Sequence, residues 1–239
     1  MEPGSEPADV VVGQLNAPPR QRWRLVVARS ADAPRLAGRE LVDAWEVAIE
    51  ATGLPLHRPA GRARARVAFG APLPLGSAAE RELADIFLSE RVPVWRVRQA
   101  LDHALPAGWS LVDLSDVWVG GPPLPGRVIA ADYRVEVEGN PDPEALAVAV
   151  FDILSAERLP RKRTKGGSEI AYDLRPLLAG IEVLDPGPPV ALRVRTRITP
   201  ELGTGRPEEV LAAIGDRLGC PLAPGSIVRE RLILADDRG

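Results

Sequence analysis

Apolar and polar positions change period along the chain, and the changes mark out its elements. Arg22 to Arg29 carries the apolar run Leu25, Val26 and Val27 and reads as a strand. Leu41, Ala44, Trp45, Ala48 and Ile49 then recur at helical spacing. They predict a helix from Gly38 to Thr52, with Gly53 as its stop. From Arg62 to Phe69 arginines alternate with small and apolar residues, the pattern of a half-buried strand. The turn-rich run Ala71 to Gly76 ends it, and a further strand fits Glu82 to Glu90. Pro93 suits a first helical position, and Val94, Val97, Leu101, Ala104 and Leu105 make the inward stripe of a helix reaching Leu105. Trp109 to Val119 is the next strand; its irregular alternation predicts a bend.

The run Gly120 to Gly126 is a linker by composition. The pattern then restarts. Arg127 to Glu138 alternates cleanly, with Ile129, Ala131, Tyr133, Val135 and Val137 on one face and Asp132, Arg134, Glu136 and Glu138 on the other. Asp142-Pro143-Glu144 supplies a cap, a proline and an acidic first turn. The helix it opens carries the stripe Leu146, Ala149, Val150, Ile153 and Leu154. Two strands flank Gly166-Gly167, the signature of a hairpin turn. Extended segments follow at Leu178 to Leu184 and Val190 to Thr199. A last helix runs from Arg206-Pro207 to Gly219, and Ile227 to Leu234 closes the chain as a strand.

Each half therefore reads β-α-β-β-α-β, the second with one extra strand. The expected fold class is α+β: two ferredoxin-like halves with helices packed on one face of each sheet. The expected division is a flexible tail at 1–19, a first domain at 20–120, a linker at 121–126 and a second domain at 127–236. The uncovered sheet face of such a fold is free to meet a sister half, a partner protein or RNA.

Composition narrows the chemistry. A formal net charge of -3 argues against bulk attraction to nucleic acid or membrane, so any polyanion site has to be local. Cys220 is the one cysteine, which excludes an internal disulfide and a cysteine-held zinc or iron–sulfur centre. Met1 to Pro19 lacks the basic start and apolar core of a signal peptide, and no apolar run is long enough to span a bilayer. The expected location is the cytoplasm, without membrane contact. His57 and His103 have no neighbouring ligand set, and neither a phosphate-binding glycine loop nor a Gly-x-Ser-x-Gly elbow is present. No cofactor, metal or catalytic residue is expected.

The strongest local signal is basic. Between Arg158 and Arg197 nine basic residues face four acidic ones. Period two puts Arg193, Arg195 and Arg197 on one strand face, and Arg161, Lys162, Arg163 and Lys165 flank the hairpin turn, with Arg175 beyond it. Guanidinium forks bind two phosphate oxygens and keep their charge, so these eight residues form the expected RNA-binding set. Arg62, Arg64 and Arg66 repeat the row in the first half. The rival reading is a solvated or edge strand charged against aggregation. An aromatic content of 4% supplies no visible stacking motif of an RNA-recognition domain.

Several of these stretches are similar to a bacterial family of radical-SAM-associated proteins that carry a domain of unknown function. The carriers are Glu40 to Pro55, Phe69 to Gly76, Tyr133 to Glu136, the basic hairpin leading into Asp173-Leu-Arg-Pro176, and Arg206 to Leu211. Family members are encoded beside, or fused to, a radical-SAM protein. The resemblance implies a link to radical-SAM chemistry or RNA metabolism and supplies no known active site. Members often carry a Gly-Phe-Asn-Pro-His-like loop where this chain reads His57 to Arg64. A radical-SAM cluster takes three cysteines, so a chain with one would assist such an enzyme rather than be one. The leading expectation is a non-catalytic accessory protein that binds RNA, a radical-SAM partner, or both, through the basic face. The alternatives are an RNA-processing or RNA-modifying enzyme, with Asp173 beside Arg175 as its one candidate base or nucleophile, and an interaction scaffold without nucleic acid.

Overall fold

The computed structural model describes residues 17–36, 38–165 and 167–237, apart from the side chains of Thr164, Lys165, Ser168 and Asp237. Most of the expected tail, 1–19, lies outside the described residues. The chain is mixed α+β, with four α-helices among the described residues, and divides into two compact units. The first runs to Gly76 and resumes at Arg81–Gly126; the second takes Ser77–Glu80 and the chain from Arg127.

The first unit is built from β1 (Gln21–Arg29), α1 (Arg39–Glu50), β2 (Ala68–Phe69), most of β3 (Ala78–Leu88), α2 (Val94–Asp102) and β4 (Trp109–Val117). Its sheet order is β2-β3-β1-β4. The alternate residues Trp23, Leu25 and Val27 of β1 are buried with Trp45 and Ile49 of α1, Ile86 and Leu88 of β3, and Val97 and Leu101 of α2. Trp45 is fully buried and meets Phe69 and Trp109 edge-on, with ring centroids 5.4 and 5.1 Å away. The register between β1 and β4 shifts between Val26 and Val27, which leaves Val112 unopposed and accounts for the irregular alternation of β4.

The strand expected over Arg62–Phe69 is confined to Ala68–Phe69. The physical reason is a pair of carboxylates on α1. Glu50 Oε1 accepts from the Ala65 N–H at 2.7 Å, and Glu46 Oε1 accepts from Arg62 Nη2 at 2.9 Å. Glu50 thus takes a backbone N–H that a strand ladder would have used, and Glu46 ties down the Arg62 side chain. The alternation survives without the strand, because Ala65 and Val67 are buried while Arg64 and Arg66 are exposed. The Gly-Pro-rich run at 120–126 is also fixed: Arg22 donates to the carbonyls of Gly121 and Pro122, and Leu124, opening a 3-10 turn, is fully buried.

The second unit holds β5 (Val128–Val137), α3 (Pro143–Ser155), β6 (Pro160–Lys165), β7 (Ser168–Asp173), β8 (Leu178–Asp185), β9 (Val190–Thr199), β10 (Gly203–Thr204), α4 (Pro207–Leu218) and β11 (Pro224–Leu234). β8 pairs with β9, β9 with β5 and β5 with β11, all antiparallel. Ala78 and Ala79, the first residues of β3, pair in parallel with Val228 and Arg229 of β11. β6 and β7 pair only with each other, from Pro160↔Asp173 to Lys165↔Ser168. The hairpin is therefore the insertion, two strands rather than the one expected, and β8 takes the sheet edge. Asp142 caps α3 by accepting from the Ala145 N–H at 2.9 Å. Leu146, Ala149, Val150 and Ile153 face inward as the spacing requires. α4 ends at Gly219, whose φ of 70° is the left-handed stop that glycine tolerates.

Candidate nucleic-acid interface

Period two places Arg193, Arg195 and Arg197 of β9 on one face, and carboxylates from other strands meet the first two there. Arg193 donates from Nε to Glu230 at 2.8 Å and from Nη1 to Glu182 at 3.0 Å. The Glu230 carboxylate, then Glu182, raises its pKa further. Arg195 grips Asp132 with two bonds, Nε to Oδ1 at 2.6 Å and Nη2 to Oδ2 at 2.9 Å. Arg231 of β11 donates to the same Oδ2 at 2.9 Å. Burial alone would raise the Asp132 pKa, but the bonds from Arg195 and Arg231 outweigh it and hold the carboxyl below its usual range. Arg197 donates to the carbonyls of Pro176 and Leu178. At Arg193 and Arg195 a phosphate would meet a guanidinium whose charge a bonded carboxylate already offsets.

Arg175 is spent on the backbone. It donates to the carbonyls of Leu154 at 2.9 Å, Ala156 at 3.0 Å and Leu178 at 3.1 Å, and so closes the C-terminal end of α3. Asp173 accepts from the N–H groups of Leu159 at 2.8 Å and Arg175 at 3.0 Å. The Leu159 bond is the larger cause of its lowered pKa. An acid held ionised by backbone donors is a turn clamp and a weak proton acceptor.

The hairpin is arranged differently. Lys162 meets Glu169 at 2.6 Å, with both side chains mostly in solvent. The Arg163 guanidinium lies 4.9 Å from the centre of the Tyr172 ring. Burial, then the Glu209 carboxylate of α4, raises the Tyr172 phenol above its ordinary range. Arg161 Nη1 reaches Asp216 Oδ2 at 2.5 Å, which ties the hairpin to the last turns of α4. The side chain of Lys165 lies outside the described residues.

Between β6 and α4 opens a cleft of about 290 Å³. Leu159, Pro160 and Ala213 give it apolar walls, and Arg158, Arg161 and Arg217 bring three guanidinium groups against one lining carboxylate, Asp216. Arg158 is largely solvated and stands 3.5 Å from Asp173. Arg217 makes no ion pair among the described residues. Of the eight expected residues, the fold brings Arg161 to this cleft and keeps Lys162 and Arg163 beside it on β6. It sets Arg175, Arg193, Arg195 and Arg197 among protein acceptors. Arg217 was not expected, because it lies on a helix 56 positions after Arg161 and only the docking of the hairpin unites them.

Among the described residues no group of three or more His, Cys, Asp or Glu side chains is placed to hold a metal. Burial lowers the His57 pKa, and His103 is the exposed residue that ends α2. No described helix is long and apolar enough to cross a membrane.

Among the solved structures to which this chain has a low similarity are three complexes. A Cbf5-Nop10-Gar1 complex matches with a TM-score of 0.47 and 12% identity, over 87% of this chain and 49% of that one. An H/ACA RNP bound to a substrate RNA containing 2'-deoxyuridine gives 0.45 and 16%, over 87% and 47%. An archaeal box H/ACA sRNP Nop10-Cbf5 complex gives 0.43 and 14%, over 87% and 48%. The chain spans about half the length of the chains it matches. Scores and identities this low carry no functional argument. No curated protein matches the chain. The sequence model described as "Uncharacterized protein conserved in bacteria (DUF2344)" matches residues 22–210, from β1 into α4, and the chain belongs to that family.

Proposed function

We propose that the chain is a non-catalytic accessory protein of the cytoplasm that binds RNA at the hairpin cleft of its second unit. The contacting residues are Arg158, Arg161, Lys162, Arg163 and Arg217, with Lys165 at the hairpin end. The observation that carries the reading is the cleft itself, where three guanidinium groups meet one carboxylate. Guanidinium groups in excess over carboxylates suit phosphate oxygens. Arg193, Arg195, Arg197 and Arg175 serve the fold in this reading, since carboxylates and carbonyls already occupy them. Each unit is read as a ferredoxin-like domain, with strand order β2-β3-β1-β4 in the first and β8-β9-β5-β11 in the second as support.

A protein partner is the second role, favoured by α3. Its outer face presents Val148 and Phe151, 61% and 69% exposed, one helical turn apart. The sequence resemblance implies a radical-SAM protein as the partner, expected from the sequence at the basic face rather than at this helix.

The test for RNA is fluorescence anisotropy of the full chain with labelled RNA across a salt series. The double variant Arg158→Gln/Arg217→Gln removes two charges and leaves the Arg161–Asp216 bond in place. It should weaken binding about tenfold at low salt and lower the log–log salt slope by about 1.4, two phosphate contacts' worth for a single strand. Unchanged affinity would remove the cleft from the reading, and absence of binding by the parent at low salt would retire RNA in favour of a protein partner.

A further inference from the structure

We infer that Trp95, at the start of α2 in the first unit, is a stacking platform for a nucleobase of single-stranded RNA, with Arg91 and Arg96 taking the adjoining phosphates. The inference rests on the RNA reading above and adds a second, chemically different contact to it.

α2 is firmly seated. Val97 and Leu101 are fully buried beneath it, and the chain enters through buried Val92, whose N–H donates to Gln21 Oε1 at 2.8 Å. On that fixed base Trp95 is 65% exposed. Indole is the largest apolar side chain, and a helix anchored by Val97 and Leu101 has no packing use for one pointed at water. Its surroundings are cationic. Arg91 and Arg96 are exposed and make no ion pair among the described residues. Arg98, one turn on from Trp95, has Asp113 at 3.9 Å, the limit of an ion pair, and Glu90 and Asp102 are the other nearby acids in sequence. The first turn of α2 carries no acidic residue, and its N-terminus has no side-chain cap. Pro93 accepts from the N–H groups of Arg96 and Val97, which starts the helix ladder at its carbonyl.

An open π-face, with unpaired guanidinium groups close to it in sequence, suits a single strand held without reading its sequence: each base offers a face to stack, and each phosphate a charge to pair. A duplex hides its base faces and would gain only the charge term. A dry protein contact would want a wider apolar surface than Trp95 with half-exposed Val94.

The test uses the full chain, a fluorescein-labelled oligoadenylate and a duplex RNA of equal length. Trp95→Ala should weaken oligoadenylate binding about tenfold while leaving duplex affinity and the thermal transition unchanged. Trp95→Phe should recover most of the loss, as a merely steric role would not. Arg91→Gln/Arg96→Gln should lower the salt slope by about 1.4. If Trp95→Ala binds oligoadenylate like the parent while Arg158→Gln/Arg217→Gln does not, this inference fails and the cleft reading stands. If the parent binds neither RNA, both fall. If polyglutamate competes with the parent's oligoadenylate at equal charge concentration and Trp95→Ala abolishes polyglutamate binding, the patch is a protein site and the inference is overturned.

Discussion

Replacing Asp132 with asparagine keeps the shape of the side chain that two arginines share and removes its charge. The Asp132 side chain is 2% exposed and accepts three bonds, two from Arg195 and one from Arg231, between 2.6 and 2.9 Å. Asparagine offers one acceptor oxygen and turns an NH₂ group towards donors, so at least one N–H faces another. Removing one partner of a buried ion pair costs about 3–5 kcal/mol. Here the arginine side chains are 44% and 58% exposed and can turn to water, which puts the expected loss near the lower bound, about 3 kcal/mol. For a unit of this size that is a fall of about 10 °C in its midpoint. Tryptophan fluorescence reports on the first unit alone, because Trp23, Trp45, Trp95, Trp109 and Trp118 all lie there. The assay is therefore urea unfolding followed by far-UV circular dichroism, with amide exchange on β5 and β9. The pH dependence separates charge from shape. A carboxylate with a lowered folded pKa contributes its stability above the unfolded value, about 3.9, and loses it as pH falls through the folded one. The gap between parent and variant should thus hold from neutral pH to about 5 and close in stronger acid. A gap below 1 kcal/mol at pH 7, or one that persists unchanged in acid where both forms still fold, would refute the account.

Two smaller perturbations test how local order is set. Glu50→Ala removes the acceptor of the Ala65 N–H, and exchange of that amide should quicken by about tenfold or more; unchanged exchange would mean that Ala65 and Val67 alone hold the segment. Asp142→Ala should cost about 1 kcal/mol in urea unfolding and Asp142→Ser should restore most of it, since either oxygen can take the Ala145 N–H; equal stability of all three would remove the cap from the account.

The elements were legible wherever one period ran long enough to be tied to one buried face. The spans of α1, α3, α4, β5 and β9 follow from apolar spacing and end signals within the elements themselves. The misses have tertiary causes. At Arg62–Phe69 the alternation correctly marks which residues are buried, yet alternation records burial and not pairing. The acceptor that removes Ala65 from a ladder is Glu50, a residue on a preceding helix. The hairpin insertion is a similar case. Gly166-Gly167 identifies a turn, but nothing local tells β6 and β7 to pair with each other and leave the edge of β9 to β8.

The basic signal shows the same limit in electrostatic form. Counting charge along 158–197 treats neighbours in sequence as the solvent treats neighbours in space. Strand pairing breaks that equivalence, because the residue opposite Arg195 is Asp132, 63 positions away, and Glu230 reaches Arg193 from β11. The clean alternation of β5 did place Asp132, Arg134 and Glu136 on one face, and that was the available clue that the arginine row would find acids. At Trp95 the omission runs the other way. A low aromatic fraction argues against stacking only if aromatics are spent evenly. Here Trp23 and Trp45 are buried, while Trp95 stands out from α2 next to arginines that no acid meets among the described residues. Helical phase could have found it, since Val97 and Leu101 define the inward stripe and Trp95 lies off it. What distinguishes a binding arginine from a structural one in this chain is therefore the strand or helix opposite it, not its density in sequence.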